Sequence, residues 1–232
     1  MGPSTGGGAG MIGHGVIRAL TVGAVVGAAI MTGACTHEGF GSVDNHFSTF
    51  SVNAPNGSSV EVCHAYGCQK RTRVKFSAAD VAEIGKLMKT SRKTDTPGEE
   101  RRAVAYAIGW IERTVGARIG TDKDRAGMDF AASGDPTQQD CVDEATNTTS
   151  YLTFLKAQGL IKHHDIGVPF AKENYLNGIE GWTHWTAVLK EHGSGQRWAV
   201  DSWIYANGEN PAVVEAEKWY IAQLAELPKP MR

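Results

Sequence analysis

The sequence predicts an α+β fold, with helices in the first half of the folded part and strands in the second. Three observations carry this reading. From Pro97 onward, Val104, Ile108, Ile111 and Val115 recur at helical spacing over about five turns. From Cys141 to about Gln158, Ala145, Thr149, Leu152 and Leu155 do the same, and Gly159 follows as a natural stop. Then Ile166 to Phe170, Trp182 to Lys190 and Arg197 to Tyr205 read as strands, the last two joined as an antiparallel pair by the turn residues His192-Gly193-Ser194-Gly195.

Residues 1–34 have the outline of a signal peptide: a cation at Arg18, then a small, uncharged, mostly apolar run from Ala19 to Ala34 that ends at Cys35. The run is shorter and more interrupted by glycine than the ~20 apolar residues of a spanning helix. Its end, Thr32-Gly33-Ala34-Cys35, resembles a bacterial lipobox, which implies cleavage before Cys35 and lipidation of that cysteine; plain cleavage after Ala34 is the other outcome. The expected location is the periplasm or the outer membrane, with a lipid anchor as the only membrane attachment. Residues 35–58, rich in Gly, Ser, Asn and His without a clear period, read as a tether with at most one strand.

The folded domain is expected over 59–232. Ser59 to Phe76 alternates around a turn at Tyr66-Gly67 and predicts a hairpin. Ser77 and Asp80 can cap a helix through Val81, Ile84, Leu87 and Met88. On the Pro97 helix, Glu99, Glu100, Arg101, Arg102 and Glu112 are expected outside, with Gly116 and Gly120 closing it. Thr121 to Gln139 reads as a solvated polar loop: its DKDRAG segment starts like a calcium loop but lacks the later ligands. His163-His164-Asp165 reads as a solvated loop too, and Ala212 to Leu224 as a short helix across the end of the domain. With a formal net charge of -2 there is no basic excess to predict a nucleic acid partner.

Four cysteines in an exported chain need partners or reasons. Cys63 and Cys68, five apart in CHAYGC, can staple a local turn. With Cys35 lipidated, Cys141 is then a free thiol; the other arrangement pairs Cys141 with Cys63 or Cys68. A cysteine that opens a helix sits among unsatisfied N–H groups that favour thiolate. A nucleophile also needs a base, and the base an orienting acid. His184 and Asp201 fall nearly opposite each other if the strands fold about Ser194, and opposed side chains on one face lie ~5 Å apart at Cβ. An acid within WAVDSW needs a partner, since an unpaired buried charge is very costly.

The segments DCVDEATNTTSYL, THWTAVLKEH and RWAVDSW, in this order, resemble the transglutaminase-like cysteine peptidase superfamily, closest to its bacterial periplasmic branch. The likeness spans about Asp135 to Tyr205. It implies a papain/transglutaminase-like fold, in which a helix bearing the cysteine packs on an antiparallel β-sheet, and a catalytic triad of Cys141, His184 and Asp201. The activity so implied is that of an exported thiol hydrolase or acyl transferase acting on peptide or side-chain amide bonds, with peptidase or amidase preferred over transglutaminase. Gln139 is the oxyanion candidate, with Gln138 or Trp182 as substitutes, and Trp182, Trp185 and Trp203 are expected cleft walls. No cofactor is expected; calcium, which some members of the branch hold near the cysteine, would fall to Asp140 and Asp143. Ser202-Trp203 stands where many members have Pro-Thr. The partner is a protein or peptide substrate in the cell envelope, and nothing in the sequence sets an oligomeric state. The alternative is a catalytically inactive lipoprotein module of the same fold that binds a cell-envelope protein or glycan.

Overall fold

The computed structural model describes residues 41–127, 129–172 and 183–230, together with Gly2 and Gly39. The expected signal peptide, apart from Gly2, and Cys35 and Trp182 therefore lie outside the described residues. The architecture is α+β with antiparallel sheets. In chain order it runs α1 (Val43–Thr49), β1 (Ser59–His64), β2 (Lys70–Lys75), α2 (Ala78–Thr90), α3 (Pro97–Ile119), α4 (Cys141–Ala157), β3 (His164–Lys172), β4 (His184–Glu191), β5 (Arg197–Asp201), β6 (Ala212–Glu215) and α5 (Ala216–Ile221). β1 and β2 form a hairpin, and β3-β4-β5-β6 a four-stranded sheet in sequence order.

Helix ends follow their cap residues. Ser77 and Asp80 close a reciprocal capping box at the start of α2. α3 starts at Thr96, which accepts the Glu99 N–H, has Pro97 in its first position, and ends at Gly120 in the left-handed region, φ 89°. Gly116 does not close α3 but lies within it. A Cβ there would come within 2.7 Å of the Asn207 side chain and 3.0 Å of the Asp122 backbone nitrogen, so the glycine permits a close approach.

Two layers of core cover the two faces of the four-stranded sheet. One face of the sheet (Ala187, Leu189, Val200) packs with Ile108 and Ile111 of α3, Leu152 and Leu155 of α4, and Ile84 and Met88 of α2. Each fully buried side chain of this size contributes ~1.5–3 kcal/mol. The opposite face (Phe170, Val188, Ala199) is covered by Ala216 and Trp219 of α5. Thirteen of the 17 residues of α4 are buried, including Thr146, Asn147, Thr148, Thr149 and Ser150. Most of this polar run is buried with partners: Thr149 donates to the Ala145 carbonyl, Thr148 pairs with Ser202, and Asn147 exchanges two hydrogen bonds with the Cys63 backbone, whereas the Ser150 hydroxyl has no hydrogen-bond partner among the described residues.

Several expectations are corrected. The segment expected as a tether holds α1, whose Phe47 packs on Val52, Cys63 and Cys68, and whose N-terminus Ser42 and Asn45 cap reciprocally. Glu100 is buried: it accepts from the Lys162 and His163 N–H groups and from His164. Burial alone would raise its pKa, yet these donors outweigh it and hold the carboxyl below its ordinary value. His164 is itself fully buried at the start of β3, not solvated, because Glu100 on one nitrogen and Arg101 on the other satisfy it. Ala212 to Glu215 form the edge strand β6 before the short helix α5 begins.

Candidate active site

The 193–195 turn sets the register of β4 on β5, pairing Ala187 with Val200 and Lys190 with Arg197. Continued to the strand end, this register puts Thr186 across from Asp201 and His184 diagonal to it on the same face, still within side-chain reach. His184 Nε2 lies 2.7 Å from Asp201 Oδ2, both groups buried. The carboxylate fixes the tautomer: Nε2 carries the proton and Nδ1 the free lone pair. The Trp219 indole N–H donates to the same Oδ2 at 2.8 Å. Trp203 and Trp219 cover the imidazole, with ring centroids at 4.5 and 5.2 Å. Lys172 reaches over Trp219 and donates to the carbonyls of Trp219 and Ala222. Sequence reasoning missed Trp219 and Lys172, since no spacing links α5 or β3 to Asp201.

Cys141 is the first residue of α4, behind the N-cap Asp140. It is free of any disulfide and 5% exposed. Its thiol donates to the Thr183 carbonyl at 3.5 Å, on the chain immediately before His184. Burial pushes the thiol up to about 12; the Trp185 backbone N–H works against this, while Asp140 and Asp201 add to it. Desolvation thus outweighs the helix N-terminus, and the resting sulfur is a neutral thiol, contrary to the thiolate expected of a helix-opening cysteine. Within this neighbourhood His184 Nδ1, Asp201 Oδ1 and Trp203 Nε1 are buried without a hydrogen-bond partner.

Cys63 and Cys68 form a disulfide. Between and including its second half, Ala65, Tyr66, Gly67 and Cys68 all have positive φ, from 56° to 70°. Successive left-handed residues turn their N–H groups to one side and make an anion cradle. Asp143 accepts from Tyr66 at 2.8 Å and Cys68 at 2.6 Å, and Asp140 from Gly67 at 3.0 Å. The two aspartates also cap α4 reciprocally. Burial and the neighbouring Asp140 push Asp143 up to about 8 despite its donors. The oxygens of Asp143 and Asp140, expected as calcium candidates, thus face backbone N–H donors. The pair of aspartates instead locks the CHAYGC loop to the helix that carries Cys141.

Of the other expected site residues, Trp203 lines a cavity of about 300 Å³ with Tyr66, Phe130, Asp140 and Cys141. Trp185 does not line it; its ring packs on His46 and Phe50. Gln139 is buried, its Nε2 donating to the Cys63 carbonyl at 3.0 Å and its backbone N–H to Asp124 at 2.7 Å. The amide expected at an oxyanion thus holds the hairpin in place. Gln138 is committed likewise, to the carbonyls of Lys123 and Thr137. Ser202 donates to Glu144 at 2.9 Å and pairs with Thr148, tying the end of β5 to α4.

Beneath the site lie buried acids that were expected on the surface or in a solvated loop. Burial pushes Glu112 up to about 8 and Asp124 to about 7, and raises Glu144 well above its ordinary value with Glu112 adding to it. A raised carboxyl binds its proton in the folded state while the unfolded chain has released it. Its contribution is complete below the unfolded value near 4.5 and is lost as pH rises through 7 to 8. The midpoint of thermal unfolding should therefore fall between pH 5.5 and pH 8.5, by at least ~2 °C for a domain of this size. Glu112→Gln should flatten that slope; a midpoint that climbs over the same interval would contradict the assignment.

Compared with known protein families, with curated proteins and with solved structures, the chain finds no match in any of the three.

Proposed function

We propose that the chain is an exported thiol hydrolase or acyl transferase of the papain/transglutaminase-like kind, acting on peptide or side-chain amide bonds in the cell envelope. The observation that carries the reading is the buried His184–Asp201 pair at 2.7 Å, which leaves His184 Nδ1 without a partner while a free buried cysteine donates to the carbonyl of the preceding residue, Thr183. Unsatisfied buried polar atoms are rare in folded proteins, and a catalytic role is one of the few reasons to keep them.

In this mechanism the thiol leaves the Thr183 carbonyl for Nδ1, which takes the proton as the sulfur attacks an amide carbonyl carbon. Asp201, held by Trp219, stabilises the imidazolium. The imidazolium returns the proton to the departing amine, and a thioester remains on Cys141. Water then gives hydrolysis, and a primary amine gives transamidation. Hydrolysis is preferred. The Cys141 backbone N–H at the helix start is the donor available to a developing oxyanion.

The test is turnover on a mixed library of peptide amides, with the protein mass followed during the reaction. A thioacyl adduct on Cys141 and released amine, both absent in Cys141→Ala, are the expected results. Neither product nor adduct with a correctly folded protein would overturn the reading and favour an inactive module that binds an envelope protein or glycan.

A further inference from the structure

The cavity beside Cys141 has a composition that selects. Its walls are the aromatic residues Tyr66, Phe130 and Trp203 together with the polar Gln69, Ser133 and Asp140, and Cys141 borders it. Phe130 is 56% exposed on a one-turn 3-10 helix, Phe130–Ala132; among the described residues Ile221 is the other large apolar side chain so exposed. A single exposed phenylalanine is unremarkable. Three aromatic rings around a concavity with a nucleophile at its edge are not, because concave apolar sites with a few polar groups are how small ligands and side chains are taken up. At about 300 Å³ the cavity is at the small end of the ~300–1,000 Å³ range of such sites, room for one side chain rather than a long peptide.

Its position is held firmly. The Tyr66 hydroxyl donates to the Asp129 carbonyl at 2.7 Å, and the Tyr66 N–H is gripped by Asp143, so the ring has fixed ends. Trp203 is buried against His184. The electrostatics are one-sided. Among the described residues that line the cavity, Asp140 is the single charged side chain, and no cation stands there to receive an anion. The Arg125 guanidinium is engaged by Asp129, and that of Arg71 by the Cys68 carbonyl.

We infer that this cavity receives an aromatic or branched aliphatic side chain on the residue whose carbonyl Cys141 attacks, and that it rejects an acidic side chain at that place. The inference rests on the proposed thiol chemistry and specifies its substrate: an acyl group bearing a large apolar side chain, neutral or cationic, never anionic.

Peptidyl chloromethyl ketones that differ only in the residue bearing the ketone test it. The Cys141 sulfur forms a bond to the methylene carbon, chloride leaves, and the thiol proton passes to His184. With Phe, Ala and Glu at that residue, the labelling rate of Cys141 in the full chain should be ~10-fold greater for Phe than for Ala, and lowest for Glu. Phe130→Ala, a change at an exposed position, should bring the Phe-to-Ala ratio close to one. Asp140→Asn, which keeps a good helix N-cap, should raise the Glu rate toward that of Ala. Equal rates for the three reagents, or Glu the fastest, would overturn the inference. Iodoacetamide separates the two levels: His184-dependent labelling by iodoacetamide together with no preference among the ketones defeats the substrate class alone, whereas no reaction with either reagent defeats the thiol chemistry and the substrate class with it.

Discussion

His184→Ala is expected to lower the rate of acyl transfer by ~10²–10⁴-fold, the range over which a positioned acid–base group acts. The loss follows from the geometry at the end of β4, where the thiol bonds to the Thr183 carbonyl next to His184, whose Nδ1 has no hydrogen-bond partner, while Asp140, the base that lines the Cys141 cavity, already accepts the Gly67 and Asp143 N–H groups. The alanine also leaves Asp201 with Trp219 as its remaining hydrogen-bond donor and opens space between two indole rings, so some stability is lost too. Asp201→Asn separates these effects. Because Nε2 and the Trp219 N–H share Oδ2, the amide oxygen takes that place, keeps both hydrogen bonds and the tautomer, and removes the negative charge that stabilises the imidazolium. A loss of similar size with an unfolding midpoint close to wild type is expected, measured by initial rates and thermal denaturation. Full activity in Asp201→Asn would show that the charge of the carboxylate does not assist the base.

The second large effect concerns the CHAYGC loop. Replacing Cys63 and Cys68 together by serine is expected to cost about 2 kcal/mol, the loop-closure value for cysteines separated by five residues. In a domain of this size that lowers the midpoint by about 4–8 °C. The loop is a poor one without its staple. Ala65, Tyr66 and Cys68 are non-glycine residues in the left-handed region, where each costs of order 1–3 kcal/mol unless its surroundings impose it. Those surroundings are the disulfide and the Asp140 and Asp143 carboxylates on the first turn of α4. Released from the staple, the Tyr66 wall of the cavity should move, so the reaction of Cys141 with peptidyl reagents should slow more than its reaction with iodoacetamide. An unchanged midpoint and unchanged rates would mean that the aspartates alone hold the loop.

Much of the frame was legible in the sequence because local signals agreed with the fold. The alternation on either side of Tyr66-Gly67 marks the β1–β2 hairpin, Ser77 and Asp80 mark α2, and Pro97 with Gly120 brackets α3. The turn at 193–195 carries the information that His184 and Asp201 meet, since it sets the register of β4 on β5. What was hidden depends on partners distant in the chain. α1 has too short an apolar stripe to stand out among Ser, Asn and His, and becomes a helix by laying Phe47 on the disulfide region. Glu100 and Glu112 look like exposed helix charges until the N–H groups of Lys162, His163 and Gly208 are brought to them. Gln139 has the right place in sequence for an oxyanion donor, yet the hairpin carbonyl of Cys63 takes its amide. Asp140 and Asp143 look like cation ligands, and the positive-φ loop that they hold could be read only from the folded backbone. The state of the Cys141 thiol is of the same kind: a helix N-terminus argues for thiolate, and only the observed burial reverses the sign.

That reversal gives the most direct test. A thiol that burial pushes to about 12 and that no base assists would be alkylated only at strongly alkaline pH. With His184 acting on it, iodoacetamide should label Cys141 readily between pH 6 and 8, as read by mass spectrometry of the mapped peptide, and His184→Ala should abolish that labelling. Labelling confined to alkaline pH, and the same in wild type and His184→Ala, would contradict the account and leave Cys141 a buried structural cysteine.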